Sequence, residues 1–398
     1  MSSRTNSAAA SVSLLVLLQL VSRVLNFGLN AALARGLGPE WYALANVQLQ
    51  LVSASALFLS REGLRRACQR VYPGGDGPTL AHGANLAWLS VPLAAIAALV
   101  AGLYFAREAS AAALVPAAEY AEAVWAICAA AVLEACADPG WLYAQTNGLI
   151  GRRVFAEGGA LAVKTAATAY LALHLRLGAR AFGYAQLLYA ATYVGLLYAA
   201  LARRCTLSQL FPRCAVPAPP RATATEGDHA SSAACWLPAG HRAAAASYCW
   251  QSAQKYVLTE GERLVLVRLA PLEDQGVFAL VSNLGSLVAR LVLQPLEEVT
   301  FASYSAAAAA GPLELAALAR LHALLRGACI FGLAFVSFGP AYSRLLLHLL
   351  YGEAWSAGTA APRLLAAYCA HVCAMAINGA PAALTFALCF VCPAQPTT

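Results

Sequence analysis

The chain has 398 residues, of which 60% are hydrophobic and only 11% are charged, and its mean hydropathy is +0.62. Soluble domains carry about a quarter charged residues, so this composition excludes a water-soluble globular protein. The net charge of +7 comes almost wholly from arginine. Because the arginines lie mostly between hydrophobic runs, they indicate anionic lipid rather than nucleic acid as a partner.

Hydrophobic runs of the roughly 20 residues needed to cross a bilayer recur ten times along the chain. They lie near residues 11–35, 43–60, 81–105, 117–146, 154–175, 181–202, 243–269, 276–303, 318–346 and 362–392. Glycine and proline punctuate the breaks, as expected of turns. The first run has no small-residue cleavage site before a soluble domain, so we interpret it as a retained span rather than a signal peptide. The sequence predicts an all-α polytopic membrane protein.

The longest polar break, residues 204–242, is rich in proline and polar residues and predicts a flexible linker. It divides the chain into a six-span N-terminal lobe, residues 1–203, and a four-span C-terminal lobe, residues 243–398. A weak repeat supports two lobes, because Tyr42-Ala43-Leu44 matches Phe278-Ala279-Leu280 at an offset of 236 residues. Each copy lies in the second helix of its lobe with the same orientation, as in transporters built from parallel repeats.

Arginine and lysine positions predict the orientation. With a cytosolic N-terminus, the cytosolic breaks hold roughly twice as many basic residues as the opposite breaks, as the positive-inside rule requires. We therefore predict that the N-terminus and the linker are cytosolic. Ten spans would place the C-terminus on the same side.

Charged residues inside the predicted spans are candidate functional residues, because a charge at the bilayer centre costs on the order of 2.5–3.5 kcal/mol. The seventh span contains Lys255, Glu260, Glu262 and Arg263. Glu260 is five residues from Lys255 and three from Arg263, so one interpretation is that the segment neutralises itself through these pairs. The alternative is a polar stripe that faces a water-filled cavity between the lobes.

The second span ends in Ser60-Arg61-Glu62-Gly63-Leu64-Arg65-Arg66, which has four charges in the six positions from Arg61 to Arg66. This run either anchors the span on the cytosolic side or binds an anionic head group, since arginine holds phosphate through paired hydrogen bonds. The eighth span carries Arg290, and Pro295 predicts a kink before Glu297 and Glu298. These two acids are either solvated at the cytosolic mouth or part of the cavity.

For several other ionisable residues, the sequence spacing does not identify a partner. Arg23 in the first span and Lys164 in the fifth have no local partner. Glu134 and Asp138 lie one helical turn apart in the fourth span. A tertiary pair such as Lys164 with Glu134 is compatible with the sequence.

We expect neither a metal site nor another cofactor. The candidate ligands are Cys389 and Cys392, and Cys369, His371 and Cys373. Neither group has a second ligand pair at the spacing of a zinc site. The sequence contains no P-loop, no Gly-x-Ser-x-Gly elbow and no His-Glu-x-x-His run. The first predicted luminal loop has one acidic residue, where glycosyltransferases that use lipid-linked sugars generally need a pair. We predict that the chain is not an enzyme.

The run Leu57-Phe58-Leu59-Ser60-Arg61-Glu62-Gly63-Leu64-Arg65-Arg66-Ala67-Cys68 resembles a signature of the Rft family, the eukaryotic oligosaccharide-lipid translocation proteins of the endoplasmic reticulum. Further runs are similar to the family in the same order: residues 258–263, 274–277, 283–290, 294–298, 351–352 and 376–379. The resemblance is collinear from the first span to about Phe386.

The resemblance implies the fold of the multidrug/oligosaccharidyl-lipid/polysaccharide flippase superfamily, in which two helical lobes face a central cavity. It implies that a dolichyl-diphosphate oligosaccharide moves from the cytosolic to the luminal leaflet of the endoplasmic reticulum. Family members carry further helices after the tenth, so we expect the second lobe of this chain to be incomplete. The alternatives are a non-transporting accessory protein of the same pathway, with other pathway proteins as partners, and an ion-coupled exporter of small molecules.

On this hypothesis, basic side chains replace the hydration of the lipid diphosphate while the dolichyl tail stays in the bilayer. The predicted head-group residues are Arg61, Arg65, Arg66, Lys255, Arg263 and Arg290. The predicted cavity or gating residues are Arg23, Glu62, Glu260, Glu262, Glu297 and Glu298.

Overall fold

The structure is a computed structural model that describes residues 27–28, 31–32, 34–72, 78–107, 114–213, 236–237, 239–293, 296–297, 300 and 315–391. Over these residues the chain is helical and contains no β-strand. The helical class predicted from the sequence is therefore confirmed.

The helices follow the predicted hydrophobic runs in chain order. Those before the linker are α1 (Pro39–Ala43), α2 (Leu49–Leu57), α3 (Gly63–Val71), α4 (Pro78–Trp88), α5 (Ser90–Phe105), α6 (Ala117–Ala135), α7 (Asp138–Thr146), α8 (Ile150–Ala169) and α9 (Arg180–Leu201). Those after it are α10 (Ala239–Leu269), α11 (Leu272–Val288), α12 (Leu315–Tyr351), α13 (Glu353–Ser356) and α14 (Ala361–Val391). π-Helical turns extend or join several of them, at Leu44–Gln48, Phe58–Glu62, Tyr170–His174 and Ala289–Leu293.

Among the described residues, five helical stretches are long and apolar enough to cross a membrane. They are Pro39–Gln69, Leu80–Phe105, Arg180–Leu201, Leu272–Leu293 and His322–Tyr351. Helices α6 and α7, bent by 42°, add a sixth if they form one broken span. Helices α8, α10 and α14 contain 20, 31 and 31 residues, about 30 Å or more at 1.5 Å per residue. Ten spans and two lobes stay predictions, and most of the first predicted span lies outside the described residues.

The chain divides into two compact units, of which the first comprises Met1–Gly36 and Leu44–Leu272. In this unit α6 packs against α5 and α9, α9 packs against α8, and α10 packs against α3. Its hydrophobic core contains Tyr72, Leu86, Leu142, Leu197 and Leu201, each with an exposed fraction below 2%. The two sides of the predicted linker contribute to this core through Leu210 and Leu237.

Asn85 in α4 fixes both ends of the segment 214–235, which itself lies outside the described residues. The Asn85 Nδ2 donates to Arg213 O at 2.9 Å and to Trp236 O at 2.8 Å. Its Oδ1 accepts from the Arg213 N–H at 2.8 Å. Asn85 is fully buried, so these bonds satisfy a polar group that water cannot reach. One turn later Trp88 Nε1 donates to Leu210 O at 2.7 Å.

Helix α10 approaches α3 closely at Gly63. A Cβ added at Gly63 would lie only 2.6–2.8 Å from backbone atoms of Cys249 and Tyr248. Further along α10, the hydroxyl of Tyr256 is hydrogen-bonded at 2.5 Å to the hydroxyl of Ser55 in α2. Small residues at such contacts let membrane helices pack backbone to backbone.

The second unit comprises Leu37–Ala43 and Glu273–Thr398. Its largest contact joins α12 and α14. The fully buried Trp355 packs edge-on against the ring of Tyr42 at 5.5 Å between centroids. The same unit brings Gly276 against the carbonyl of Pro39. The division into compact units thus places α10 in the first unit. The lobe boundaries at residues 203 and 242 stay a prediction.

Candidate functional site

The π-helical turn Phe58–Glu62 directs Arg61 into the first unit. Ser60 and Arg61 are both buried in this turn, with 1% and 6% of their surface exposed. The Ser60 hydroxyl donates to Ala56 O at 2.7 Å, which satisfies its polar group within the helix. A π-helical turn adds a residue to the helical ring and so rotates the side chains that follow, which is why such turns are common at functional sites.

Arg61 is the centre of a buried ion network with two acids. Its Nη1 donates to Glu134 Oε1 at 2.6 Å, and its Nε donates to Asp138 Oδ1 at 2.9 Å. Glu134 is 8% exposed and Asp138 is 2% exposed. The two acids flank the bend between α6 and α7, and Asp138 begins α7, where the helix dipole favours a negative charge. Removing one member of a buried network like this one destabilises by about 3–5 kcal/mol, because it leaves a buried charge uncompensated.

Arg65, one turn after Arg61, adds a second guanidinium to Asp138. Its Nη2 and Nε donate to the same Asp138 oxygen, Oδ1, at 2.8 and 3.1 Å. The other oxygen, Oδ2, is buried and makes no hydrogen bond of normal geometry within the described residues, although the Ser90 hydroxyl interacts with the carboxylate. A small recess beside Arg65, lined partly by Cys68 and Trp141, leaves no room for a water molecule. The pair is therefore desolvated on that side.

Arg65 is also the part of the network that reaches the surface, with 25% of its side chain exposed. Its guanidinium lies 4.3 Å from the centroid of the Trp141 ring, and the guanidinium of Arg153 lies 5.5 Å from the same centroid. Arg153 Nη1 donates to Gln145 Oε1 at 2.5 Å, so its hydrogen-bond acceptor is neutral. Two cations thus gather on one aromatic ring.

Lys164 in α8 is a further cation near Glu134. Its ammonium interacts electrostatically with Glu134 and lies 5.9 Å from the ring of Tyr189. Tyr189 stacks on Tyr193 at 6.1 Å between centroids. The hydrogen-bonded cation of Glu134, however, is Arg61, which the sequence could not indicate.

Glu62, immediately before α3, contacts two cations, and one of them, Lys255, links it to α10. It accepts from Arg66 Nη2 at 2.9 Å and from Lys255 Nζ at 3.1 Å. The expected pair of Lys255 with Glu260 is therefore wrong. Five residues correspond to about 500° of helix, so Lys255 and Glu260 are about 140° apart around α10. The three side chains of the Glu62 group are 31–46% exposed, and such pairs contribute little, about 0–1 kcal/mol.

The other predicted pair in α10 is confirmed. Arg263 Nη1 donates to Glu260 Oε2 at 3.1 Å, an i, i+3 contact. Glu262, between them in sequence, is exposed. The segment is thus partly self-neutralised, as one of the two sequence hypotheses requires.

The predicted residues of the second unit are described only in part. Glu297 is exposed and its carboxylate lies beside Gly379 of α14. The backbone of Arg290 belongs to the π-helical turn Ala289–Leu293, but its side chain is not described. Arg23 and Glu298 lie outside the described residues, as does Pro295, so the predicted kink stays untested.

The cysteines considered as metal ligands in the second unit contact glycines. A Cβ at Gly332 would lie within 3 Å of Cys373, and a Cβ at Gly339 would lie 2.2 Å from the Cys369 Sγ. Both cysteines therefore pack in the contact of α12 with α14. Over the described part of the chain, no group of three or more His, Cys, Asp or Glu residues could hold a metal ion. Cys392 lies outside that part.

The sequence matches the family model described as "Rft protein" over residues 7–389, which is nearly the whole chain. The chain belongs to the Rft family. This confirms the resemblance seen in the run of residues 57–68, which contains Arg61 and Arg65.

Named relatives of the Rft family agree with the match. The Xenopus tropicalis protein "Man(5)GlcNAc(2)-PP-dolichol translocation protein RFT1" is 34% identical over 94% of this chain and 70% of the relative. The Mus musculus protein of the same name is 35% identical over 96% of this chain and 71% of the relative. The Dictyostelium discoideum protein of that name is 29% identical, covering 92% and 72%. No solved structure matches the chain significantly.

Within this Rft chain, sequence analysis found the arginines of the network but not the residues that hold them. Glu134 and Asp138 were recognised as intramembrane acids, and their i, i+4 spacing was the available signal. Their partners are 73 and 77 residues away in sequence, beyond any local pattern. Trp141 and Arg153 gave no signal at all, because an aromatic ring and a basic residue near a span end are ordinary features of membrane helices.

Proposed function

We propose that this chain moves a dolichyl-diphosphate-linked oligosaccharide from the cytosolic to the luminal leaflet of the endoplasmic reticulum membrane, in the assembly of the N-glycan precursor. The relatives support this substrate, since each is named for translocation of Man(5)GlcNAc(2)-PP-dolichol. Family membership and the apolar helices support a multi-pass membrane location. The arginine distribution supports a cytosolic N-terminus. In this proposal the chain acts without an enzymatic step.

The observation that carries the proposal is the network of Arg61 and Arg65 with two acids inside an apolar helical unit. A diphosphate gives up strong hydration when it leaves water, and guanidinium groups replace that hydration through paired, charge-assisted hydrogen bonds. Arg61 is held by two acids and is only 6% exposed, so its part is to stabilise the network. Arg65 is partly exposed and can reach a ligand.

The remaining predicted residues would surround this centre. We assign the head group to Arg65, Arg66, Lys255, Arg263 and Arg290, the support of this site to Arg61, and gating to Arg23, Glu62, Glu260, Glu262, Glu297 and Glu298. The contacts of Glu62 with two cations, and of Glu260 with Arg263, support acids that hold cations in place. These pairs are exposed enough to open at low energetic cost.

The test is translocation by the purified chain in liposomes that contain a fluorescent short-chain polyprenyl-diphosphate oligosaccharide. A membrane-impermeant quencher reports the fraction of lipid in the outer leaflet over time. We expect Arg65→Gln to slow translocation about tenfold, which corresponds to one lost charge-assisted contact of about 1.4 kcal/mol. Arg203→Gln, at an exposed arginine after α9, is the matched control and should leave the rate unchanged.

Two outcomes would contradict the proposal. If the native chain translocates no faster than protein-free liposomes, direct translocation is wrong. Binding of the lipid without translocation would then favour the accessory role in the same pathway. If Arg65→Gln and Arg203→Gln have equal rates, the assignment of the head group to Arg65 is wrong.

A further inference from the structure

We propose that Arg65 and Arg153, gathered on the ring of Trp141, bind the two phosphates of the lipid head group, and that Asp138 holds Arg65 until the diphosphate replaces it. This inference rests on the proposed function and adds to it a binding residue, Arg153, and a competing internal anion, Asp138. The four residues come from three helices of the first unit, α3, α7 and α8.

The first step is the overloaded acceptor at Asp138. Three N–H groups converge on its Oδ1: Arg61 Nε at 2.9 Å, and Arg65 Nε and Nη2 at 3.1 and 2.8 Å. The three donors compete for the lone pairs of one oxygen, while Oδ2 makes no hydrogen bond of normal geometry within the described residues. One donor can leave without orphaning the acid, because Arg61 stays. Arg61 is 6% exposed and bound to two acids, so Arg65 is the donor that can leave.

The second step is the charge of the group. The guanidinium groups of Arg61 and Arg65 are paired with the carboxylates of Glu134 and Asp138. Arg153 lies on the same ring as Arg65 and is hydrogen-bonded to the neutral Gln145, so its positive charge favours an anionic ligand. When Arg65 leaves Asp138, the ammonium of Lys164, which interacts with Glu134, helps to compensate the acids.

The third step is the geometry at Trp141. Arg65 and Arg153 lie 4.3 and 5.5 Å from the ring centroid. A guanidinium that lies over an aromatic ring keeps its N–H groups free at the edge for phosphate oxygens. Arg153 is partly exposed and its hydrogen-bond acceptor is the neutral Gln145, so a phosphate can bind the outer edge of this guanidinium without displacing a carboxylate, whereas its Nε is buried. Two guanidinium groups on one ring suit a ligand with two linked phosphates better than a ligand with one.

The experiment measures equilibrium binding of geranylgeranyl diphosphate, geranylgeranyl monophosphate and inorganic pyrophosphate to the full chain in nanodiscs. We expect the native chain to prefer the diphosphate lipid over the monophosphate lipid about tenfold, and Arg153→Gln to remove that preference. Asp138→Asn removes the competing charge and should bind the diphosphate lipid about tenfold more tightly. Arg153→Lys, which keeps the charge but not the fork, should recover only part of the preference.

Two controls accompany these variants. Arg203→Gln should bind as the native chain does. Because Asp138→Asn removes a buried charge and its loss can unfold the chain, a second measurement uses Trp141. The diphosphate lipid should change the tryptophan fluorescence of the native chain, and Trp141→Phe should abolish that change. A change that persists in Trp141→Phe would overturn the inference.

The remaining outcomes also decide. Suppose that Arg153→Gln binds both lipids equally but Asp138→Asn binds the diphosphate lipid as tightly as the native chain does. Asp138 would then have no part in the proposal. An unchanged preference in Arg153→Gln would remove Arg153. Pyrophosphate that binds as tightly as the lipid diphosphate would refute the lipid head group as the ligand. A native chain that binds no diphosphate overturns this inference and the proposed function together, whereas binding without translocation overturns the proposed function alone.

Discussion

Gly63 is the position at which a single methyl group should separate two helices. In Gly63→Ala the new Cβ would lie 2.6 Å from Cys249 Cα, 2.7 Å from Cys249 N and 2.8 Å from Tyr248 C. Non-bonded carbon atoms are in favourable contact at about 3.5–4.0 Å. All three neighbours are backbone atoms, which cannot rotate away as a side chain would. Helix α10 must therefore move by roughly 1 Å from α3.

The magnitude follows from two opposing terms. Overpacking of a well-packed contact costs about 1–3 kcal/mol. Alanine in place of glycine inside a helix returns about 1 kcal/mol through propensity. The displacement also lengthens the Lys255–Glu62 contact of 3.1 Å and the Ser55–Tyr256 hydrogen bond of 2.5 Å. We expect a net loss of about 1–2 kcal/mol in the free energy of unfolding.

The assay is reversible unfolding of the purified chain from mixed micelles by increasing denaturing detergent. Gly261→Ala is the matched control, because Gly261 lies in α10 and a Cβ there would meet nothing within 4 Å. It should stabilise by about 0.5–1 kcal/mol. Adding Cys249→Ala to Gly63→Ala should not restore stability, since the clash is with backbone and not with the thiol. A Gly63→Ala chain as stable as Gly261→Ala would refute the close approach of the two helices.

Three further changes test other contacts of the first unit. Arg61→Met leaves two buried acids without their shared cation and should lower the free energy of unfolding by about 3–5 kcal/mol. In a double-mutant cycle, adding Glu134→Gln to Arg61→Met should cost less than Glu134→Gln costs in the native chain. Strictly additive losses would contradict the pairing. Asn85→Ala should lower the free energy of unfolding by about 1–3 kcal/mol, because it leaves backbone groups unsatisfied. Limited proteolysis between residues 213 and 236 should be faster than in the native chain. Gly178→Ala should lower the melting temperature, because φ is +59° there and a Cβ would clash with the Glu119 carboxylate; the left-handed conformation alone costs alanine about 1–2 kcal/mol, and an unchanged melting temperature would contradict this.

The helices could be predicted closely, because length and hydrophobicity of a run are local properties. The run predicted at 181–202 is the helix Arg180–Leu201, and the run predicted at 243–269 is Ala239–Leu269. The run at 117–146 is instead two helices with a 42° bend. Pro139 has no N–H to continue the helix and is tolerated in the first turn of a new one, which explains the break.

The site could be predicted only on one side. Arg61 and Arg65 were recognisable because they belong to a dense charged run at the end of the second span, and arginine binds phosphate through paired hydrogen bonds. Their acids could not be assigned, because contacts across 73 and 77 residues depend on how the helices pack. The burial of Arg61 also depends on a π-helical turn, which neither composition nor hydrophobic periodicity indicates. The pairing of Lys255 with Glu62, 193 residues away, replaced a local pair that helical geometry does not allow.

The hydrogen bonds of Asn85 hold together the two residues that flank the segment 214–235. Arg213 O and Trp236 O both lie within 2.9 Å of one nitrogen atom, so the segment leaves and re-enters the unit at the same point. Because its two flanking residues are adjacent, the distance between them sets no minimum length for the segment. The entropy of closing such a loop grows only with the logarithm of its length. An insertion there, such as a fluorescent protein or an epitope, should therefore leave the packing of the helices unchanged. This makes the segment a suitable site for labelling the chain.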